Sequence, residues 1–357
     1  MKKKGDSVFF SDMISPRFNP AAVLDIASGG KVLVIGDFHM GVGRRDDLMA
    51  NGELLITLLE KYYLPGGWYL VLNGDIEELQ RHFLSSIFEN WPRMFRIFDR
   101  FAAEKRLYKI IGNHDEGLLF EKNYPYPLYS AVRIETGHLP VYVYHGHQSS
   151  RLYRDFNHIL RAGVRYVLKP FGIRNISSAR SPYRRFSVEK SAYRFSLENN
   201  CISVIGHTHR SLFASLGRFD YIKFEIERLC RDYPAATGEA RDRIAVEVKT
   251  LRQELGKLKR SERRDVLRAS LYGDELPVPC LFNAGCAIGR KGINAIELTD
   301  ENIALVYWFT EGEGKRFISR GSYEVEEIPG TPCRRGVLNR DRLDNVKARI
   351  ELLGVQP

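Results

Sequence analysis

The stretch ISVIGHTH, residues 202–209, is an apolar run closed by a glycine and two histidines one residue apart. In an extended segment, residues two apart project to the same side. His207 and His209 are therefore expected to aim at one place just beyond a buried strand. Four other stretches share this design. KVLVI (31–35) leads into Gly36-Asp37-Phe38-His39, and WYLVL (68–72) into Asn73-Gly74-Asp75. LYKII (107–111) leads into Gly112-Asn113-His114-Asp115, and VYVY (141–144) into His145-Gly146-His147. Six of the nine histidines fall in these five clusters. Each cluster contains or follows a glycine, the residue that lets a strand turn sharply.

Short, predominantly apolar runs of this kind read as strands buried on both faces. Between them, Asn51–Tyr63 and Trp91–Ala103 carry helical spacing, and LPGG (64–67) ends the first. CLFNAGC (280–286) and a hairpin over 293–308 add further strands. Alternating strands and helices predict an α/β fold, in which ligands bind at the C-terminal ends of the strands. The organisation expected is an N-terminal extension (1–30), a main domain (31–330) and a C-terminal helix (331–357). That helix would bury Leu343, Val346, Ile350 and Leu353 and end at Gly354. Two helical insertions interrupt the main domain, one basic (151–199) and one a helical hairpin (218–275). In the hairpin, PAATG (234–238) is the turn. Ile244, Val248, Leu251, Leu255 and Leu258 form a heptad seam expected to pack on Ile222, Ile226 and Leu229 of the first arm.

The 357 residues are 44% hydrophobic and 27% charged, the composition of a globular protein with a sizeable core. MKKKGDSVFF begins basic but meets Asp6 and Ser7 before an apolar segment develops, which argues against a secretory signal. No run approaches the ~18 apolar residues of a membrane span. Five cysteines without C-x-x-C spacing are expected as reduced thiols of a cytoplasmic protein. The formal net charge of +10 is concentrated: between Arg151 and Phe195 eleven basic residues face two acids, Asp155 and Glu189. Such a segment suits a local acidic partner.

The five clusters together supply carboxylate, amide and imidazole donors at one sheet edge. Mixed O/N donors suit Mn2+, Fe2+ or Zn2+ better than Mg2+ or Ca2+, and the donor number suffices for two ions. In this order the clusters resemble the signature of the calcineurin-like metallophosphoesterases: Asp-x-His, Gly-Asp, Gly-Asn-His-Asp, a lone His and Gly-His-x-His. The resemblance covers residues 36–209 and extends to FNAGC (282–286), but not to the N-terminal extension or the insertions. It implies two packed sheets flanked by helices with a dinuclear metal site at one edge. By position, Asp37, His39 and His209 would hold one ion. Asn113, His145 and His207 would hold the other, and Asp75 would bridge the pair, ~3.5–4 Å apart. Mn2+ is the first choice, with Fe or Zn open. A water activated between two such ions attacks phosphorus in line. His114 resembles the family's leaving-group acid. Glu78, three residues after Asp75, is either its hydrogen-bond partner or a plain surface carboxylate. His147 is expected to support a ligand or to touch phosphate.

The basic insertion resembles the helical cap of UDP-2,3-diacylglucosamine hydrolases, which take an amphiphilic pyrophosphate. Those enzymes usually carry Arg where this chain has His114. DNA-repair nucleases of the superfamily share the metal set. Non-catalytic scaffolds of the same fold lose ligands, and none is lost here. From Arg151 to Lys169 a helical apolar face runs beside a basic stripe, and Arg154, Arg161 and Arg165 are the expected substrate contacts. Tyr183, Phe186, Tyr193 and Phe195 follow among the charges and fit stacking on nucleotides. The expected partner is an acidic, phosphorylated substrate such as a nucleotide-linked lipid. An anionic face of the inner membrane, with the protein bound peripherally, and nucleic acid both stay open. No protein partner is identifiable.

Overall fold

A computed structural model of the chain describes residues 22–43, 46–147, 182–257, 277–289, 292–312 and 324–354. In chain order the strands are β1 (Ala22–Asp25), β2 (Lys31–Ile35), β3 (Tyr69–Asn73), β4 (Leu107–Ile110), β5 (Leu128–Tyr129), β6 (Val132–Glu135), β7 (Val141–Val143) and β8 (Ile202–Ile205). There follow β9 (Leu212–Phe213), β10 (Leu216–Gly217), β11 (Leu281–Asn283), β12 (Ile293–Thr299), β13 (Asn302–Thr310), β14 (Val325–Glu327) and β15 (Cys333–Arg342). The α-helices are α1 (Gly52–Leu58), α2 (Leu84–Asn90), α3 (Pro92–Ala103), α4 (Pro182–Asn199), α5 (Arg218–Asp232), α6 (Gly238–Lys257) and α7 (Leu343–Leu353).

Two sheets form, in the orders β1-β6-β7-β8-β11-β9-β10 and β14-β15-β13-β12-β2-β3-β4-β5. The run KVLVI shows how they stack. Side chains alternate across a strand, so Val32 and Val34 enter the core shared with β6, β7 and β8. Leu33 and Ile35 enter a second core with Leu55 of α1 and Phe98 of α3. Burial on both faces explains the unbroken apolar run. Helix α3 starts with Pro92 in its first turn, where no intrahelical N–H is needed. It buries Met94, Ile97, Phe98 and Phe101 along one face. The fold is mixed α/β, two packed sheets flanked by helices, as expected.

Several boundaries move. Residues 22–25, expected in the extension, form β1 and pair in parallel with β6. Residues 333–342, expected in the C-terminal helix, form the ten-residue strand β15 against β13. Their charges hid the strand: Arg335 is buried because Glu297 neutralises it through paired Nε and Nη2 bonds. Helix α7 begins only at Leu343; it buries Leu343, Val346 and Ile350, while Leu353 is exposed. The segment expected as helical over 51–63 closes with a π-helical turn, Leu59–Tyr63.

The second half of the basic insertion is not an outlying cap. Helix α4 packs on β8 and β11, where Ser196 Oγ donates to Ser203 Oγ at 2.7 Å, and buries Val188, Ala192, Tyr193 and Phe195 against that face of the sheet. Tyr193 and Phe195 are therefore withdrawn from any role on nucleotides, and the Tyr193 hydroxyl accepts the Val278 N–H at 3.0 Å. Residues 148–181, with Arg154, Arg161 and Arg165, lie outside the described residues. The hairpin α5–α6 forms as expected, with Ile222, Leu229 and Leu251 buried between its arms and Ile226, Ile244, Val248 and Leu255 around them. Leu258 lies outside the described residues. Among those residues no helix is long and apolar enough to cross a membrane, and the five cysteines form no disulfide.

Candidate metal centre

The loops after β2, β3, β4, β7 and β8 meet at one edge of the two sheets. Backbone pairing draws them together: Asp37 N–H donates to Gly74 O at 3.0 Å and His39 N–H to Asp75 O at 2.9 Å. His207 N–H donates to Asp37 Oδ2 at 3.1 Å, and His114 N–H to Asp75 Oδ1 at 2.8 Å. The fit leaves no room at Gly112, where an added Cβ would lie 2.2 Å from Asp75 Oδ1 and 2.3 Å from its amide nitrogen.

The sharp turns expected of the glycines fall largely on the polar residues themselves. Asp37, His39, Asp75, His207 and His209 all have left-handed backbones, with φ between 47° and 64°. Outside glycine this conformation is uncommon and concentrates at functional sites. The premise of strand alternation for His207 and His209 also fails, because β8 ends at Ile205.

The two histidines go to different groups. His209 Nε2 lies 3.1 Å from Asp37 Oδ1 and 3.3 Å from His39 Nε2. The His207 ring stands 5.1 Å from that of His145, whose Nε2 is 3.1 Å from Asp75 Oδ2. Asp37, His39 and His209 thus form one group with ligand atoms close enough to share an ion, and Asp75, His145 and His207 form another. Asp75 also groups with His39 and His114, so it stands between the two.

The donor atoms fit divalent metal. Asp37 Oδ1, Asn113 Oδ1 and His145 Nε2 are buried without a hydrogen bond. Leaving such atoms unpaired costs about 1–3 kcal/mol each. Asp37 Oδ1 and His145 Nε2 each lie near an opposite partner yet miss hydrogen-bond alignment with it, as expected of atoms aimed at a common ion. His145 Nδ1 is held on Asn73 O at 2.8 Å, which presents Nε2 to the site.

Electrostatics follow from this crowding. Burial penalises the charge of Asp75, but His145, His114 and His39 outweigh it and hold the carboxyl well below its usual range. Burial likewise opposes a charge on His145, yet Asp75 pushes its pKa up to about 9. His209 is raised well above the ordinary value by Asp37 against its burial. Burial and the neighbouring His145 drive His207 well below it.

His114 and Glu78 are brought together. Glu78 is 1% exposed, not a surface carboxylate, and its Oε2 meets His114 Nδ1 at 2.8 Å and His39 Nδ1 at 3.1 Å. Although burial opposes ionisation, those two imidazoles hold the Glu78 carboxyl far below its ordinary value. His114 is raised, against its own burial, by Asp75 and Glu78. His147 sits at the rim: its Nε2 is 3.6 Å from Glu116 Oε1, and its ring is 5.4 Å from that of His145. It belongs to none of the metal-capable groups among the described residues.

Three supports escaped the sequence reading. Lys109, inside the run LYKII, is fully buried between Glu77, at 3.0 Å, and Asp115. Asp115 in turn accepts the N–H groups of Gly112, at 2.6 Å, and Ile76, at 2.9 Å, so it ties the loops after β3 and β4 together. Asn283 donates to Gly206 O at 3.1 Å and to Thr208 Oγ1 at 2.9 Å, bracing the last loop. A lysine inside a strand reads as a solvent-facing residue unless its buried partners are known.

Among solved structures, a single mutant of Vps29 from Entamoeba histolytica is similar at 13% identity and a TM-score of 0.36, over 87% of this chain and 99% of that one. YfcE, a phosphoesterase from E. coli, is similar at 11% identity and a TM-score of 0.32, over 77% and 91%. No curated protein gives a significant match. Residues 30–211, just over half of the chain and the part that builds all five loops, match the family model of calcineurin-like phosphoesterases. On that match the chain belongs to the calcineurin-like phosphoesterase family.

Proposed function

We propose that the protein is a two-metal phosphoesterase that hydrolyses a phosphate ester or pyrophosphate bond in an acidic, amphiphilic substrate such as a nucleotide-linked lipid. One observation carries the hydrolytic part: two groups of donors flank the shared carboxylate Asp75, with His114 held beside it by Glu78. Asp37, His39 and His209 would hold one ion, Asn113, His145 and His207 the other, and Asp75 both. When bound, two divalent ions supply a nucleophile from water at neutral pH and neutralise phosphate charge; Mn2+ is the first candidate. The protein's own contribution is orientation and a proton. His114 Nδ1 is committed to Glu78, so the proton that reaches the leaving oxygen is the one on Nε2. Asp75 and Glu78 both favour the protonated ring, and Glu78 aligns it.

The amphiphilic part rests on the basic, amphipathic stretch that follows His147, with Arg154, Arg161 and Arg165 as its phosphate contacts. The same charge supports nucleic acid as a second reading, and a cytoplasmic protein resting on an anionic membrane face fits the first. The test is metal analysis of purified protein followed by assay of the Mn2+-loaded form. The substrates are a monoester, a diester, a nucleoside-diphosphate lipid and single-stranded DNA. About two ions per chain and fastest turnover of the nucleotide lipid are expected. Fastest turnover of DNA would replace the substrate assignment, and chelator-resistant activity would remove the metal reading.

A further inference from the structure

Glu189 counts, by sequence, as one of two acids in a basic stretch. In the fold it is 1% exposed on α4 and turned toward the last loop of the centre. Its Oε1 accepts the Thr208 hydroxyl at 3.0 Å and Arg210 Nε at 3.1 Å, and Arg210 Nη2 bonds to Oε2. Thr208 is fully buried and stands between His207 and His209. Its hydroxyl also accepts from Asn283 Nδ2 at 2.9 Å. A chain of hydrogen bonds therefore runs from α4 through Thr208 to β11.

The loop it crosses needs anchoring. His207 and His209 have φ of 64° and 54°, and Thr208 N–H donates back to Gly206 O at 2.7 Å. Disfavoured backbone of this kind persists only where its surroundings over-determine it. A buried carboxylate is costly unless paired, and the partners of Glu189 belong to this loop.

Resting on the two-metal reading, we propose that Glu189 is a positioning residue that locks the loop of His207 and His209 to helix α4. Metal loading and docking of α4 are then one linked equilibrium. Linkage is reciprocal: an ion held through His207 or His209 tightens α4, and loosening α4 weakens the ion.

The test titrates metal-free protein with Mn2+ by calorimetry and follows amide exchange along α4. The parent should take two ions, and α4 should gain protection as it does. Glu189→Ala and Thr208→Val should each weaken Mn2+ binding about 10- to 100-fold and abolish the gain in protection. Thr208→Ser, which keeps the hydroxyl, should restore both. If the two positions act through one bond, the double variant binds no more weakly than the weaker single. Parental affinity in both variants, or losses that multiply in the double, overturns the proposal while the two-metal reading stands. A parent that takes no Mn2+ overturns both. Should Glu189→Ala fail to fold, Thr208→Val, which keeps the Glu189–Arg210 pair, decides when set against an Asn283→Ala control that removes the other bond to the Thr208 hydroxyl: an equal loss in the control overturns the proposal.

Discussion

His114 Nδ1 and His39 Nδ1 share one acceptor, Glu78 Oε2, at 2.8 Å and 3.1 Å, and the two rings meet edge to face with centroids 4.6 Å apart. A candidate proton donor and a candidate metal ligand are thereby oriented by the same carboxylate. The prediction is a separation of roles. His114→Ala should keep about two ions per chain but lose about 10²- to 10⁴-fold of turnover on alkyl phosphoesters. p-Nitrophenyl esters, whose leaving group needs little protonation, should be partly spared. Equal losses on both substrates would refute His114 as the acid.

Asp75 stands between the two donor groups, whereas His145 belongs to one and His147 to neither. Metal content should follow that order. Asp75→Asn should empty or loosen both positions and cost the most activity of any ligand change. His145→Ala should lose one ion, and His147→Ala should lose none. Atomic emission on purified variants reads this directly, and loss of an ion from the His147 variant alone would exchange the two histidines' roles.

Lys109 is fully buried between Glu77 and Asp115. Against a large burial penalty, those carboxylates raise its pKa above that of free lysine, so it is charged at neutral pH. Lys109→Met should leave two buried carboxylates without their cation and cost about 3–5 kcal/mol of stability, as broken buried pairs do. Urea denaturation measures it. A loss within about 1 kcal/mol would mean that the carboxylates protonate cheaply and that the lysine is dispensable.

Reversing Arg154, Arg161 and Arg165 to Glu changes a net basic stretch without touching any of the five loops. Metal content and p-nitrophenyl phosphate turnover should hold nearly constant. Sedimentation with anionic liposomes should vanish, and KM for a nucleotide-linked lipid should rise at least tenfold. If the parent ignores liposomes and the variant instead loses salt-sensitive DNA binding, the substrate is a nucleic acid.

The five loops could be read in the sequence because each ends a strand buried on both faces. Val32, Leu33, Val34 and Ile35 serve two cores at once, which writes an unbroken apolar run immediately before a polar cluster. The hairpin was equally legible, since Ile244, Val248 and Leu251 repeat with the period of the packing they make. β15 was not. Its Arg335 obeys a buried pairing with Glu297, 38 residues away, and no local period records such a partner.

Residue types, their order and their spacing by themselves determined the strand-and-loop plan, the donors at each strand end and the family resemblance of residues 36–209. Folding alone decided that the turns fall on the ligands themselves, with His207 and His209 held in left-handed backbone beyond the end of β8. It also turned Glu78 inward to two imidazoles, and made Lys109 and Glu189 internal struts. The reason is physical. A backbone pattern is set by burial, which is periodic and local. The worth of a buried charge is set by the partner that meets it, and that partner is chosen by tertiary contact.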